Sequence, residues 1–574
     1  MIRPAGERAL LLEFASLEQV HVAWRSLRSR PPRGVEDIVA GSRTVLLVLR
    51  SAAERQLAEE RLLAGSVTHP TPGPGREFSI PVTYDGPDLS DVAALTGLDE
   101  NAVVRLHAEA TYTVSFVGFS PGFAYLVGVD PALHVPRLAT PRRTVPAGAL
   151  AVAAGMTAVY PQATPGGWRL IGRSAARMFD PSRPEPSLLL PGDRVRFRPV
   201  DRLDDLPVPE PVPMAPPGSD DPGRAYLLVV TCGVLTTVQD TGRRGWAHLG
   251  VPGGGAADRA AALRANHLVG NPPDAAVLEV TMGGLRVRVG AGRRVAVTGA
   301  LVDLTVDGMP ARAETTLPLS AGSELSIGAC RAGLRCYLAV EGGIDVPPVL
   351  GSRSADTLSG LGPPPLRPGD RLPLGPPLLG RGDRLPLGPP PLGRGDRPPA
   401  GPPPLRVSDR PPAGPSPLRR SDRLSAGPPA GAGRDALGPP GQATVPDLRS
   451  GDRPVLPGEG DAVVLTARPG PRDDWVGRAG LQVLTGSEYL IHPSSDRTGL
   501  RLCGPPVPVQ RTGQLPSEGM VAGAVEIPPD GQPIVLLRNH PSTGGYPVAA
   551  VVDEAGLDLL AQCRPGVRVR FKLV

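Results

Sequence analysis

Residues that could hold an anion stand out first, because the chain contains a single lysine, Lys572. Without a lysine in the body of the chain, the sequence excludes a phosphate loop of the GxxxxGK[ST] type, a Schiff-base lysine and a biotinylated Met-Lys-Met motif. Arginine, backbone N–H groups or a metal must therefore hold any anionic ligand. Arg142 and Arg173 are candidates, since a guanidinium makes two-pronged contacts to carboxylate or phosphate. An ordinary ion pair is an equal alternative for each.

Helical segments supply a second group of candidates. His107 is either a proton carrier or a structural helix histidine. Asp258 stands at the start of the helical segment 257–269, where it suits either ligand binding or an N-cap. Asn266, in the same segment, is a binding candidate or part of a buried polar network.

Glycine-rich turns supply a third group. Gln239, Asp240 and Arg243 share one turn, where they either bind a ligand or fix the loop by hydrogen bonds. The turn Gly118-Phe119-Ser120-Pro121-Gly122 exposes backbone N–H groups that suit an anion nest, or it is simply a sharp turn. Phe119 is either core or a platform for a ring.

Polar strings near the C-terminus add the remaining candidates: Arg497, Glu518, Thr543, Gly544 and Tyr546. No HxH, HExxH or DxD spacing occurs, so we expect no dedicated metal site. Five cysteines without a CxxC pair argue against a disulfide framework and against a thiolate zinc site.

The elements that position these residues are mostly short strands. Strands at 10–14 and 44–49 flank a helix that Ser16 and Gln19 begin with a capping box, and a second helix covers about 52–64. From residue 80 onward, short strands alternate with turns around a helical pattern at 89–109, which predicts a β-barrel or sandwich. From about 226 the pattern repeats.

Matching landmarks in the two halves predict two related β-rich domains; chance matching in a Gly-rich composition is the alternative. The landmarks are an Ala-Gly-Ala triplet, a Gly-Gly-aromatic turn and a terminal PGxRVRF strand, at 147–149, 166–168 and 191–197, and again at 522–524, 544–546 and 565–571.

A Pro/Gly/Arg-rich insert carries the excess positive charge. Residues 363–427 repeat a 13-residue unit, and thirty of these 65 residues are Gly or Pro, which predicts a disordered segment. The segment holds eleven arginines against five aspartates, whereas the whole chain carries +5. The folded part is therefore near neutral, and net charge gives no support for nucleic-acid binding. We expect no membrane helix or signal peptide either, and hence a cytoplasmic protein.

We expect an α+β, mainly β chain, divided as follows: an N-terminal α/β subdomain at 1–75, a barrel at 78–200, a linker at 201–225, the first part of the second half at 226–360, the insert at 361–455 and a second barrel at 456–574.

The string FVGFSPGFAYL at 116–126 resembles the signature of the 5-oxoprolinase B-subunit family, also known as KipI or allophanate hydrolase subunit 1. The string LTTVQDTGR at 235–243 is similar to the opening of the C-subunit family, also known as KipA or allophanate hydrolase subunit 2. Further matching strings occur at 80–84, 141–142, 145–148, 165–168, 171–173, 255–258, 265–271, 278–279, 342–344, 351–354, 496–499, 517–519 and 543–547.

The resemblance implies a fusion of the B and C subunits with cyclophilin-like barrels and a carboxyltransferase-like second half. It implies ATP-dependent opening of 5-oxo-L-proline to L-glutamate, with a separate A subunit of the LamB/YcsF family and a higher-order oligomer. ATP would be a cosubstrate accompanied by Mg²⁺, without a tightly bound cofactor. The resemblance makes His107, Arg142, Asp240, Arg243 and Glu518 catalytic candidates. The binding candidates are Gly118, Phe119, Pro121, Gly122, Arg173, Gln239, Asp258, Asn266, Arg497, Thr543, Gly544 and Tyr546.

Two alternatives remain open. The same domain pair resembles the carboxyltransferase part of biotin-dependent urea carboxylase, within urea amidolyase. A KipI/KipA-type regulator that binds a sensor histidine kinase is the non-catalytic alternative. Five positions depart from the family pattern, where Ser, Gln, Gly, Gln and Asp are usual: Ala149, Met156, Ala158, Glu526 and Asn539.

Overall fold

The computed structural model describes residues 1–64, 75–203, 224–377, 462–511 and 513–574. Strands predominate among them, which confirms the α+β, mainly β prediction. The described residues of both halves belong to one compact unit. Within these ranges, no helix has the length and apolar character needed to cross a membrane.

The N-terminal part is a four-stranded antiparallel sheet with two helices. Its elements are β1 (Ile2–Pro4), β2 (Ala9–Glu13), α1 (Leu17–Ser29), β3 (Val35–Ala40), β4 (Thr44–Leu49) and α2 (Ala52–Leu63). The strand order is β1-β2-β4-β3. Ser16 caps α1 by accepting from the amide of Gln19, whose side chain accepts from the amide of Ala15. The predicted cap at Ser16 is therefore confirmed, whereas the reciprocal bond of the predicted capping box goes to the amide of Ala15 instead of that of Ser16.

The first barrel follows. Its elements are β5 (Glu77–Val82), α3 (Leu89–Thr96), α4 (Glu100–Glu109), β6 (Tyr112–Val117), β7 (Ala124–Val127), β8 (Arg142–Val145), β9 (Ala149–Ala153), β10 (Met156–Val159), β11 (Thr164–Gly166), β12 (Arg169–Arg173) and β13 (Arg194–Pro199). The main sheet runs β12-β9-β10-β7-β6-β13-β5, and a bridge between Thr83 and Arg173 joins its edges. The helical pattern at 89–109 forms two helices, because Gly97 ends α3 in a left-handed conformation and Asp99 caps α4.

The second half opens with a nine-stranded sheet that packs one helix. Its elements are β14 (Tyr226–Cys232), β15 (Leu235–Gln239), α5 (Arg259–Val269), β16 (Val277–Thr281), β17 (Leu285–Val289), β18 (Arg293–Val306), β19 (Met309–Ala311), β20 (Leu317–Leu319), β21 (Glu324–Val340) and β22 (Arg371–Pro373). The long strands β18 and β21 pair along most of their length and form the spine of this sheet.

The second barrel is closed. Its elements are β23 (Ala462–Pro469), α6 (Asp473–Gly486), β24 (Tyr489–Ile491), β25 (Gly499–Cys503), β26 (Glu518–Gly519), β27 (Ala524–Glu526), β28 (Ile534–Leu536), β29 (Thr543–Gly544), β30 (Val548–Val552), α7 (Glu554–Gln562) and β31 (Arg568–Leu573). The order around the barrel is β23-β30-β27-β28-β25-β24-β31.

The two barrels share one topology. The order β12-β9-β10-β7-β6-β13-β5 in the first barrel corresponds, strand for strand along the chain, to the order β30-β27-β28-β25-β24-β31-β23 in the second. In both, the first strand pairs parallel to the last, β5 with β13 and β23 with β31, and a separate two-stranded ribbon flanks the barrel. The landmarks that the sequence repeats therefore occupy equivalent places in duplicated barrels.

The N-terminal boundary predicted for the insert is too early. Residues 361–377 are built into the second half, where Leu361, Leu366 and Leu372 are buried. Part of the first 13-residue unit, Arg371–Pro373, forms β22, which pairs with β14 at the edge of the sheet. An edge strand tolerates Pro, because one side of it needs no ladder hydrogen bonds. The rest of the repeat and most of the predicted linker at 201–225 lie outside the described residues.

Candidate site at the junction of the two halves

The glycine-rich loop after β6 lies where the two halves meet. A Cβ added at Gly118 would overlap the side chain of Thr543. The amide of Gly122 donates to the carbonyl oxygen of Leu249 over 2.8 Å. Gly122 has a φ of 76°, in the left-handed region that favours glycine. The structure thus brings together Gly118, Gly122 and Thr543, three predicted site residues from both halves.

Phe119 in this loop has a φ of 63°, which is unusual for a residue with a side chain. Its ring packs edge-on against Phe123 at 5.4 Å, and Phe123 packs edge-on against Tyr125 and Trp168. Pro121 is buried in the same loop. The strained backbone is therefore held in place by an aromatic cluster on the first barrel.

An ion-pair network joins the N-terminal sheet to the second barrel. The guanidinium of Arg472 pairs with Glu518 of β26 and with Glu13 of β2, and it is 6% exposed. Strand β26 pairs with β29, which places Glu518 opposite Gly544. Glu518, predicted as catalytic, thus has a buried cation as its partner, while Tyr546 is 43% exposed beyond the same ribbon.

Asp240 holds a turn of the second half together. Its Oδ1 accepts from Ser352 Oγ at 2.7 Å and from Ser354 Oγ at 2.5 Å. The same oxygen accepts from the amide of Gly242, and Oδ2 accepts from the amide of Arg353. These contacts fit the loop-fixing alternative that the sequence left open.

Arg243 follows on the same turn and is 1% exposed. Its guanidinium donates to the carbonyl oxygens of Val349 and Ser354, whereas Nη1 has no hydrogen-bond partner among the described residues. Burial lowers the pKa of Arg243, and Asp356 and Asp240 oppose that shift. A buried guanidinium with a spare donor is suited to contact an anion.

A cavity of about 140 Å³, here called the junction cavity, lies beside Arg243. Its walls come from the N-terminal sheet, from the 241–259 segment of the second half and from the second barrel. Charged and polar residues, together with a glycine, line much of it: Arg8, Glu36, Asp37, Arg243, Arg244, Gly253, Arg259, Arg538, His540, Ser542 and Glu554. Both halves are therefore needed to build it.

Cations crowd one side of the junction cavity. Burial lowers the pKa of Arg259 to about 9, and the neighbouring guanidinium groups of Arg538, Arg244 and Arg8 add to that shift. Glu554 lies among them: burial acts to raise its pKa, but Arg538, Arg259 and Arg8 lower it to about 2. Arg8 and Arg538 contact Glu554 at 2.5 and 2.7 Å.

Asp37 faces the junction cavity from the N-terminal sheet. Burial raises the pKa of its carboxyl to about 7, although the amides of Ala247 and Gly245 donate to it at 2.9 and 3.1 Å. This carboxyl can therefore exchange a proton near neutral pH.

Three predicted residues do not line the junction cavity and make their contacts within the first barrel domain. His107 is fully buried, with ring nitrogens 2.8 Å from Tyr84 Oη and 3.0 Å from Thr157 Oγ1, and burial lowers its pKa to about 3. Arg142 pairs with Asp88 at 2.6 Å and Arg173 with Asp85 at 2.7 Å. These contacts fit the structural alternatives, and the functional roles stay predictions.

Four other predicted residues form internal polar contacts of the second half. Asp258 caps α5 and accepts from Gln562. Arg497 pairs with Glu279 and donates to Asn539 Oδ1. The remaining two are Gln239, which donates to Ala355, and Asn266, which donates to Ala275.

Sequence reasoning missed Asp37, Arg259, Arg538 and Ser542, which all line the junction cavity. Arg259 follows Asp258 and Arg538 precedes Asn539, and the sequence analysis names Asp258 and Asn539. No sequence spacing, however, links Arg259 with Arg538. In the described ranges, no group of three or more His, Cys, Asp or Glu residues is arranged to hold a metal ion.

Both halves match one family. "Carboxyltransferase domain, subdomain C and D" matches residues 1–189, and "Carboxyltransferase domain, subdomain A and B" matches residues 249–402 and 408–573. The chain is 43% identical over 203 residues to the B subunit of 5-oxoprolinase from Escherichia coli O157:H7, which covers 34% of this chain and 93% of that protein. It is 32% identical over 348 residues to the C subunit of 5-oxoprolinase from Escherichia coli strain K12, which covers 60% and 90%.

More distant relatives and a solved structure extend this picture. The urea amidolyase of Lachancea kluyveri is 28% identical over 360 residues, which is 60% of this chain but 16% of that protein. The crystal structure of TTHA0988 matches with a TM-score of 0.77 and 31% identity, over 100% of both chains. The chain therefore belongs to the carboxyltransferase-domain family, with counterparts of the B and C subunits of 5-oxoprolinase joined in one polypeptide.

Proposed function

We propose that this chain supplies the B and C subunits of an ATP-dependent 5-oxoprolinase in one polypeptide. With a separate A subunit, it would hydrolyse 5-oxo-L-proline to L-glutamate. The observation that carries the proposal is that the chain matches both subunits, each over at least nine-tenths of the separate protein. A cavity that needs both halves supports it, because a fusion keeps such a site assembled.

The chemistry explains a need for ATP. An unstrained lactam is a poor electrophile, and phosphorylation of its oxygen would make the ring carbon easier to attack. ATP with Mg²⁺ would enter as a cosubstrate, and an A subunit of the LamB/YcsF family would complete the enzyme. This chain would hold the ring acid, shield it from bulk water and move a proton at Asp37, whose pKa burial raises to about 7.

The test is glutamate release. The full chain, the purified A subunit, ATP and 5-oxo-L-proline should together give glutamate and ADP in equal amounts, and omission of any one component should stop both. Failure with an A subunit that is active alongside separate B and C subunits would refute the proposal.

Carboxyl transfer is the second candidate, because urea amidolyase is among the relatives. The match to urea amidolyase involves 16% of that protein, so most of it has no counterpart in this alignment. Urea-dependent or allophanate-dependent turnover with a biotin carrier, without glutamate release, would favour this candidate.

A further inference from the structure

We propose that the junction cavity binds the carboxylate of a small acid, with Arg243, Arg259 and Arg538 around the anion. The identity of the acid as 5-oxo-L-proline rests on the proposed function. The site itself rests on the placement of donors, charge and space in this fold.

Three residues that line the cavity carry buried donors that lack partners among the described residues. Arg243, Arg538 and Ser542 are 1%, 4% and 1% exposed. Arg243 Nη1, Arg538 Nε and Ser542 Oγ have no hydrogen-bond partner within the described part of the chain. Buried donors without partners cost free energy, so a ligand that supplies acceptor oxygens there would be stabilised.

Several guanidinium groups lie near one another on one side of the cavity. Burial lowers the pKa of Arg259, and the charges of Arg538, Arg244 and Arg8 lower it further, so these guanidinium groups repel each other. Glu554, 3.9 Å from Arg259, opposes that shift in part. A bound carboxylate would relieve that repulsion.

Most carboxylates of the cavity wall are already engaged. Glu554 contacts Arg8 and Arg538, and Glu36 contacts Arg244. Two further acids are engaged outside the arginine cluster: Glu7 with Arg468, and Asp553 as the cap of α7. Five arginines and five acids line the cavity, so unpartnered donors rather than a net positive charge would hold the carboxylate.

The size of the cavity selects a small ligand. About 140 Å³ is well below the roughly 300–1,000 Å³ of pockets for drug-sized ligands. A five-membered ring acid suits this space, whereas a whole nucleotide does not.

Gly253 offers a way to fill the cavity without disturbing the fold. It lines the cavity, its backbone is not in the left-handed region, and an added Cβ would meet no atom within 4 Å. Gly253→Leu should therefore fold and occupy the ligand space. Gly486→Leu is the matched control, because Gly486 has the same freedom on the exposed end of α6.

The experiment is calorimetric titration of the full chain alone with 5-oxo-L-proline, inorganic phosphate and ATP. We expect 5-oxo-L-proline to bind, with affinity at least tenfold weaker in Gly253→Leu and in Arg259→Gln and unchanged in Gly486→Leu. Melting temperatures of all variants would establish that they are folded. Should Gly253→Leu prove unfolded, Gly253→Ala should give a smaller loss in the same direction.

Several results would overturn the inference. The first is equal affinity for 5-oxo-L-proline in the wild type and in folded Gly253→Leu. The second is no binding of 5-oxo-L-proline to the chain. The third is that phosphate or ATP binds more tightly than 5-oxo-L-proline and that Gly253→Leu weakens this binding. The proposed function can fail separately. Binding of 5-oxo-L-proline in the cavity without glutamate release would refute the proposed enzymatic function but support the proposed binding site. Glutamate release with an unchanged KM for 5-oxo-L-proline in Gly253→Leu and in Arg259→Gln would refute the binding site but support the enzymatic function.

Discussion

Gly122 of the first barrel donates its amide hydrogen to Leu249 of the second half over 2.8 Å, from a backbone that only glycine adopts easily. Because the Phe119–Phe123 aromatic contact and the Gly118–Thr543 contact belong to the same loop, this bond fixes the loop between the halves. The junction therefore combines close contacts of small residues with apolar clusters that span the halves, such as Phe179 against Leu249 and Val251.

Replacing Gly122 tests that dependence. In Gly122→Ala the new Cβ would lie 2.7 Å from Phe179 Cβ and 3.0 Å from the Met178 carbonyl oxygen, in addition to the strain of φ 76°. We expect a loss of about 2–4 kcal/mol in the free energy of unfolding. Gly97→Ala is the control, since Gly97 has a φ of 71° but no atom within 4 Å of a new Cβ. Equal losses in the two variants would show that the loop is not tightly packed.

Glu526→Gln tests the effect on stability of a buried carboxyl that lies beside Gly544. Glu526 is 7% exposed, and burial raises its pKa from 4.5 to about 7, against the effect of the Tyr546 amide. The folded chain thus binds this proton more tightly than the unfolded chain. The contribution of Glu526 to stability is therefore largest below pH 4.5, falls as the pH rises to about 7 and is then constant.

Glutamine does not ionise, so the stability lost when Glu526 ionises at higher pH would be regained in Glu526→Gln. Glu526→Gln should stabilise the protein by about 2–3 kcal/mol at pH 8 and by little near pH 4.5, measured by denaturant unfolding at both pH values. A change in stability that is the same at both pH values would contradict the account.

The sequence could predict much of the secondary structure but little of the junction between the two halves. The Ser16 cap and the strand at 44–49 follow from local patterns, and the duplicated strand order follows from repeated landmarks. The junction cavity does not, because Arg259 and Arg538 are far apart in the chain and meet only through packing of the second barrel. The early insert boundary has a similar cause: composition cannot reveal that Leu366 and Leu372 are buried.

Asn539→Asp tests the departure from the family pattern. Asn539 donates to Asp356 Oδ1 at 2.9 Å and accepts from Arg497 at 3.3 Å, and both Asn539 and Asp356 are buried. An aspartate would lose the donated bond and place two carboxylates together. We expect a loss of about 1–3 kcal/mol in denaturant unfolding. The added change Asp356→Asn should recover most of it; no recovery would show that the two side chains are not coupled.

Arg472→Leu tests the ionic link between the N-terminal sheet and the second barrel. It would leave Glu13 and Glu518 without their shared cation, and we expect a loss of about 3–5 kcal/mol. Arg511→Leu is the control, because Arg511 pairs with Asp474 at 2.8 Å with its side chain 56% exposed, and should cost less than 1 kcal/mol, typical of roughly 0–1 for surface pairs. Similar losses in both variants would argue against a structural role for the network.

The central claim is that the two halves form one unit with one shared cavity. The most direct test is to insert a protease site between residues 204 and 223, cut the purified full chain there and run it on a sizing column under native conditions. The account predicts that both fragments elute together in equal amounts, at the position of the uncut chain. Separate elution of the two fragments, each folded, would contradict it.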